Sequence, residues 1–494
     1  MILRDVQLPY IHDIFTILCI TLLILPFINT SNERLLRFVA QSGASYAVVK
    51  AYFILDDMNT FNHGYQYVTK VHLGFSDYSL GTLFFGVDGF SIMFFFLTTV
   101  LIFLCLIYVW SEKSFKYYAI NLLIIELLLL MIFSAMDLFV FYICFEGILI
   151  PMFFLIGIWG SRERRVRASY LFFYYTLGSS LLALLAILYI YNTVGTLSFI
   201  ELHEYHFTRM EERILWCAFF LAFATKIPMY PFHVWLPEAH VEAPTVGSVL
   251  LAGVLLKLGV YGLIRVNLEL FPIASIFYAP YASVLAIFSI FYASYAALGQ
   301  TDLKRIIAYS SIAHMNLVVL GLMSLNSDGI GGAIFQSISH GFVSAGLFFL
   351  VGMIYDRHHT RLLNYYTGLI RVMPIFVTFF LIFTLANIAI PGTSSFIGEY
   401  LLLMGSFKKE PLFGALAAVG VILCGTYALW LLNRISFGQS KIMIYWDLEI
   451  YEIYILISLL MFIIMLGIYP NDYVFEFIAS SCESLVTTIK LYTK

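Results

Sequence analysis

Charge is what this sequence has least of. Only 12% of its 494 residues are Asp, Glu, Lys or Arg, about half the share found in soluble domains. The net charge is −3, so nothing points to a nucleic-acid partner. The six cysteines (Cys19, Cys105, Cys144, Cys217, Cys424 and Cys482) are scattered, with no C-x-x-C pair. That pattern suggests neither a zinc nor an iron–sulfur site, nor a disulfide framework. There is no G-x-G-x-x-G and no G-x-x-x-x-G-K-[ST], so the chain is not expected to bind NADH or ATP. Met1 to Asp13 leads straight into an apolar run, without the basic start and small-residue cleavage site of a signal peptide. No arginine is expected deep inside the apolar segments.

What is present is apolar. Hydrophobic residues make up 61% of the chain and mean hydropathy is +0.91. The sequence therefore predicts one all-α integral membrane domain rather than several soluble ones. A spanning helix needs about 20 apolar residues. Runs of that kind lie near 13–30, 88–109, 117–135, 137–158, 169–191, 213–235, 245–268, 272–299, 305–323, 331–355, 373–404, 412–436 and 449–469, with a weaker one near 34–55. The expectation is about 14 transmembrane helices. Basic residues collect in short loops on one side of a membrane. Counting 34–55 as a span places Lys113/Lys116, Arg162/Arg164/Arg165/Arg167, Lys304/Arg305, Arg357/Arg361 and Arg434/Lys441 on one face, and both termini on the other. Arg209, Arg213, Lys408 and Lys409 are exceptions. Asp56–Thr82 reads as an extramembrane loop, and Asn471–Lys494 as an amphipathic helix lying on the membrane.

Two segments are interrupted, one by Pro228, Pro231 and Pro237, the other by Pro391 and Gly392. Proline breaks helices, and broken backbone at membrane depth is tolerated only beside protein or a watery cavity. Matching breaks in two halves mark ion sites in transporters. Ile227-Pro228 compares with Ile390-Pro391, and Leu258-Gly259-Val260-Tyr261 with Cys424-Gly425-Thr426-Tyr427. The expected plan is residues 1–116, N-terminal helices with the loop; 117–268, a first five-helix repeat; 272–436, a second, inverted one; and 437–494, a last helix and tail. Each repeat holds one broken helix.

A charge at mid-membrane costs at least a few kcal/mol, so those present are informative. Glu126, Glu146, Lys226, Lys257, His314, His340 and Glu399 all fall within apolar runs, and His233 lies seven residues past Lys226. Burial disfavours the charged form of lysine and of glutamate, and a neighbouring opposite charge restores it. Moving or neutralising Glu146 would then release a proton from Lys226, with histidines bridging gaps. The plainer alternatives are a structural Glu146–Lys226 ion pair, packing roles for His314 and His340, and a helix-end position for Glu126. His233, Glu238, His240 and Glu242 cluster after the first break, where they line an entrance or are wet loop residues; the latter is the simpler reading of Glu242. His203, His206, His358 and His359 read as loop residues.

The stretches Phe145-Glu-Gly-Ile-Leu-Ile-Pro-Met-Phe153, Ile158-Trp-Gly-Ser-Arg-Glu-Arg-Arg-Val-Arg167, Lys226-Ile-Pro-Met-Tyr-Pro-Phe-His-Val-Trp-Leu-Pro-Glu-Ala-His-Val-Glu-Ala-Pro244 and Leu255-Leu-Lys-Leu-Gly-Val-Tyr-Gly262 resemble the chain-4 family of the proton-pumping NADH:ubiquinone oxidoreductase, respiratory complex I. The resemblance covers about residues 85–440. It implies an antiporter-like subunit in which Glu146 and Lys226 form a coupling pair, Lys257 is a central relay and Glu399 faces the exit. Related chains 2 and 5 carry a lysine where Glu399 stands. The resemblance further implies a multi-pass protein of the mitochondrial inner membrane with no cofactor of its own. NADH, FMN, iron–sulfur clusters and ubiquinone would belong to partner subunits. Chains 2 and 5 would be its neighbours and cardiolipin-like lipids its surroundings. The alternatives are a stand-alone cation/proton antiporter using the same residues and a non-pumping membrane scaffold.

Overall fold

The computed structural model describes residues 10–73, 81–111, 114–439 and 446–492. Lys113, Lys441, the 74–80 stretch of the long loop and the last two residues of the tail lie outside the described residues.

Helices dominate, because long apolar runs in a medium without water must satisfy every backbone group internally. In chain order they are α1 (Tyr10–Ile24), α2 (Glu33–Asp56), α3 (Ser91–Tyr108), α4 (Phe115–Ser134), α5 (Leu138–Trp159), α6 (Arg165–Val194), α7 (Arg209–Lys226), α8 (Trp235–Glu242), α9 (Thr245–Leu268), α10 (Pro272–Leu298), α11 (Leu303–Met323), α12 (Ser327–His358), α13 (Pro374–Asn387), α14 (Ser394–Lys409), α15 (Pro411–Ser436), α16 (Ile450–Ile468) and α17 (Glu476–Leu491). Among the described residues, twelve helices are long and apolar enough to cross a membrane. The two interrupted segments, α7–α8 and α13–α14, are not among the twelve: α7 carries charges at both ends and the other three are short.

Boundaries follow local chemistry. Pro272, Pro374 and Pro411 open α10, α13 and α15, where a missing N–H is harmless. Asp137, Asp302 and Asn326 accept backbone N–H groups at the starts of α5, α11 and α12. Loops carrying the basic residues meet one another. Ser161 N donates to Glu242 O (3.0 Å), Leu303 N to Arg361 O (3.0 Å) and Gly368 N to Phe437 O (3.0 Å). On the opposite face Leu138 N donates to Leu197 O (2.9 Å) and Asn326 Nδ2 to Gly405 O (2.8 Å).

Three expectations need correction. The 56–82 extramembrane segment is more than a loop: β1 (Gln66–Leu73) begins within it and pairs with β2 (Gly81–Val87) as an antiparallel hairpin on the face that holds the tail, a small addition to an otherwise helical chain. The tail helix α17 is amphipathic, but its apolar face (Ile478, Cys482, Leu485, Ile489) is buried against protein. Ser480 Oγ donates to Thr60 O (2.9 Å), and a Cβ on Gly89 would lie 2.1 Å from Phe477 O, a contact only glycine allows. The third concerns the breaks. Ile227 N donates to Phe223 O (2.8 Å) and Met229 N to Ala224 O (2.9 Å); Ile388 N donates to Thr384 O (3.0 Å) and Ile390 N to Leu385 O (3.2 Å). Pro228 and Ala389 both take positive φ. The breaks therefore match as Ile227-Pro228 with Ile388-Ala389, two residues from the register read from the prolines. Lys226 stands where the other break has Asn387. Gly259 packs on Ile227, and Gly425 on Ile388.

The centre of the bundle is α9 with α11 and α12. The apolar stretches of α9 and α12 are wholly enclosed by protein.

Candidate proton-transfer site

Lys257 lies on α9 between two π-helical stretches, Leu251–Leu255 and Leu263–Leu268. Such wide turns free backbone carbonyls and recur at functional sites. Here the Lys257 ammonium donates to Ala252 O at 2.5 Å and stands 3.0 Å from Nδ1 of His340 on α12. The His340 and His314 rings are 5.7 Å apart, and His314 Nδ1, on α11, lies 3.0 Å from Glu399 Oε1. Gln336 Nε2 also donates to Glu399 Oε1 (3.3 Å). Gly398 lets α14 come this close, since a Cβ there would lie 2.4 Å from Gln336 Oε1. Lys257, His340, His314 and Glu399 thus form one buried row across three elements and the second break.

The other pair sits at the first break. Lys226 ends α7, buried, with its ammonium 4.5 Å from the centre of the Phe145 ring. That is a cation–π position. Glu146 follows Phe145 on α5, and its carboxylate acts on Lys226 through space. Neither charged group has a hydrogen-bond partner among the described residues, so the two face each other without closing an ion pair. Trp235 Nε1 donates to Thr225 O (2.9 Å), and Asn316 Nδ2 to Pro228 O (3.3 Å). These bonds occupy carbonyls freed by the break and hold Lys226 in place. His233 is buried among Tyr230, Tyr292 and Tyr309, outside the Lys257–Glu399 row. Glu126 is wholly buried on α4, and neither carboxyl oxygen has a partner among the described residues. It is not at a helix end, and it joins neither group.

Residues 135–424 match the family described as NADH:quinone oxidoreductase/Mrp antiporter, transmembrane. The chain belongs to this family. Within the NADH:quinone oxidoreductase/Mrp antiporter family, it is 49% identical over 405 residues to the NADH-ubiquinone oxidoreductase chain 4 of Chondrus crispus, covering 81% of this chain and 82% of that one. It is 46% identical to that of Arabidopsis thaliana, over 92% and 93% of the two chains. A chain of respiratory complex I from Thermus thermophilus with bound NADH superposes with a TM-score of 0.87 at 28% identity, over 98% of this chain and 99% of that one. A chain of the Mrp complex from Dietzia sp. DQ12-45-1b gives 0.84 at 20% identity, over 98% and 99%, which extends the likeness of fold.

Two arginines overturn sequence expectations of this family member. Arg265, on the last π-helical stretch of α9, is buried. It donates to Asp88 Oδ2 (2.5 Å) and to both carboxylate oxygens of Glu269 (3.2 and 3.1 Å). The i,i+4 Arg265–Glu269 spacing was the available signal. Arg361 is also buried and binds Asp302 (2.7 Å) and Glu242 (3.0 Å). Glu242 is therefore a sequestered ion-pair partner and not a wet loop residue. Left single, these six charged groups would not repay their desolvation; paired and hydrogen-bonded, they hold loop ends together. Gln336 carried no sequence signal, because an amide within an apolar run reads as packing.

Proposed function

We propose that this chain is a core membrane subunit of a proton-pumping NADH:ubiquinone oxidoreductase, an antiporter-like subunit of respiratory complex I. The observation that carries the reading is the row Lys257–His340–His314–Glu399, with 3.0 Å between lysine and imidazole and 3.0 Å between imidazole and carboxylate. Those are proton-transfer distances, and the row lies in the most enclosed helices of the bundle. Counting each broken pair as one crossing gives fourteen spans. The shared geometry of the two breaks supports two inverted five-helix repeats, 117–268 and 272–436.

In this reading Glu146 and Lys226 are the switch. A charge shift in a neighbouring subunit draws Glu146 away or neutralises it, Lys226 gives up its proton, and the change passes to Lys257. Protons then move through His340 and His314 to Glu399, with His233 and Glu126 as accessory groups. Moving one charge against 100 mV requires about 2.3 kcal/mol, and changing the separation of two desolvated opposite charges supplies energy on that scale. NADH oxidation, FMN, iron–sulfur clusters and ubiquinone reduction belong to partner subunits. Chains 2 and 5 are the neighbours, lipids such as cardiolipin fill the contacts, and the site is the mitochondrial inner membrane. The reading is supported by the long-range likeness to named chain-4 relatives. A stand-alone cation/proton antiporter draws support only from the Mrp-type fold.

The test is Glu146→Ala in the assembled complex, with assembly checked on a native gel. Proton-coupled quinone reduction should fall severely. Normal turnover with a normal proton-to-electron ratio would refute the switch.

A further inference from the structure

Far from the proton-transfer groups, α2 presents two different faces. One is small and apolar (Ala40, Ala44, Ala47, Ala51) and is buried against α1 and α3. The other carries Arg34, Arg37, Phe38, Gln41, Ser42 and Ser45, which recur at the spacing of a single helical stripe. That stripe lines a cavity of about 600 Å³, walled on one side by Trp110. None of the described residues lining it is acidic.

The upper end of the cavity lies at the basic face. Trp110 follows α3, and Lys116 at the start of α4 donates to Pro26 O (2.7 Å) and Ile28 O (2.8 Å) in the turn before α2. The Arg37 guanidinium lies 5.5 Å from the centre of the Trp110 ring and 5.9 Å from that of Phe115, which is cation–π range. Its Nη2 donates to Glu33 Oε2 (2.8 Å). Its Nε is buried without a hydrogen-bond partner among the described residues. Arg34 closes no ion pair among them. Glu33 therefore offsets one of three neighbouring positive charges, and guanidinium donors are left over. Such donors match the oxygens of a phosphate.

Below the arginines the groove suits hydrocarbon. Ser42 Oγ donates to Val39 O (3.0 Å) and Ser45 Oγ to Ser42 O (3.0 Å). The hydroxyls are thus satisfied within the helix and leave a narrow floor. Phe38 and Trp110, both exposed, flank it, as aromatic rings do at a membrane interface. Arg34 to Ser45 spans about 16 Å of helix, close to the depth of one leaflet of hydrocarbon, about 15 Å. Gln41 sits one turn below Arg37, about 6 Å, at the level where a phosphoglyceride carries its ester carbonyls. A helix of a neighbouring subunit would match the floor but leave the guanidinium donors without an acceptor. A phospholipid matches both ends.

We propose that this groove holds one anionic phospholipid, with its phosphate between Arg34 and Arg37, an ester carbonyl at Gln41 and one acyl chain along Ser42 and Ser45. This rests on the membrane-spanning reading of the chain and adds a lipid site to it.

The experiment reconstitutes the assembled complex in phosphatidylcholine bilayers containing a phosphatidylglycerol with a photoreactive acyl chain. After illumination, the labelled residues of this chain are mapped by mass spectrometry. Label should concentrate on α2 between residues 34 and 45 and on Trp110. Arg34→Gln combined with Arg37→Gln should lower it roughly tenfold or more. Arg34→Gln alone, which leaves the contacts of Arg37 in place, should lower it several-fold, and native gels follow assembly in both. Photoreactive phosphatidylcholine should label the stretch weakly, and excess soluble glycerol phosphate should not compete. Equal labelling by the two lipids, unchanged labelling in both variants, competition by glycerol phosphate, or cross-linking of the stretch to another subunit in place of lipid would each overturn the proposal. The exposed Leu181 and Leu185 of α6 are the internal control. Label there but not on α2 removes the site alone, whereas label on neither removes the membrane-spanning reading itself.

Discussion

Lys257 Nζ and His340 Nδ1 stand 3.0 Å apart, joining α9 to α12 within stretches that protein wholly encloses. The contact is between two groups that are each costly to bury, and no carboxylate pairs with Lys257 among the described residues. Lys257→Met should therefore leave the bundle intact, since it removes a buried charge instead of orphaning one. Pumping should fall roughly 100-fold, the scale of one proton-transfer group. The check is the proton-to-electron ratio in vesicles, with assembly followed on native gels.

Glu399→Gln keeps the shape and the contact with Gln336 but cannot take a proton from His314. Coupled turnover should drop while the thermal midpoint stays within a few degrees. Glu399→Asp, one methylene shorter, should restore part of the rate. Full activity in the glutamine variant would remove Glu399 from the path.

Arg265→Ala leaves Asp88 and Glu269 buried and unpaired, which is expected to cost about 3–5 kcal/mol. The assembled complex should become scarce on native gels. Arg265→Lys should rescue only in part, because one planar guanidinium bridges two carboxylates and an ammonium is a point charge.

Gly89→Val inserts a branched side chain where a single Cβ already meets Phe477 O. The tail helix α17 must shift, at about 1–3 kcal/mol. Limited proteolysis should cut the tail faster, with proton transfer along the row unaffected.

Much of this was legible in the sequence. Apolar runs of spanning length and the positions of basic loops gave the helices, because the bilayer imposes one length and leaves one backbone solution. Lys226, Lys257, His314, His340 and Glu399 stood out because charge is rare here. Three things were not legible. The β1–β2 hairpin depends on pairing across a loop. The burial of Arg265 and Arg361 depends on partners distant in sequence, Asp88 and Asp302, even though Glu269 stands four residues from Arg265. The register of the second break was read from Pro391, whereas the backbone turns at Ala389, which takes positive φ. Proline marks where a helix cannot continue, not the residue at which it stops.

The paired π-helical stretches of α9 have a mechanical consequence. Each contains one residue more than an α-helix needs for the same rise. The turn bearing Lys257 is thus bracketed by slack, and passing one surplus residue through it would swing the side chain by about 100°. The helix ends and the loops they anchor would stay put. A stiff rod fixed at both ends can in this way turn its middle, changing which neighbour the amine addresses.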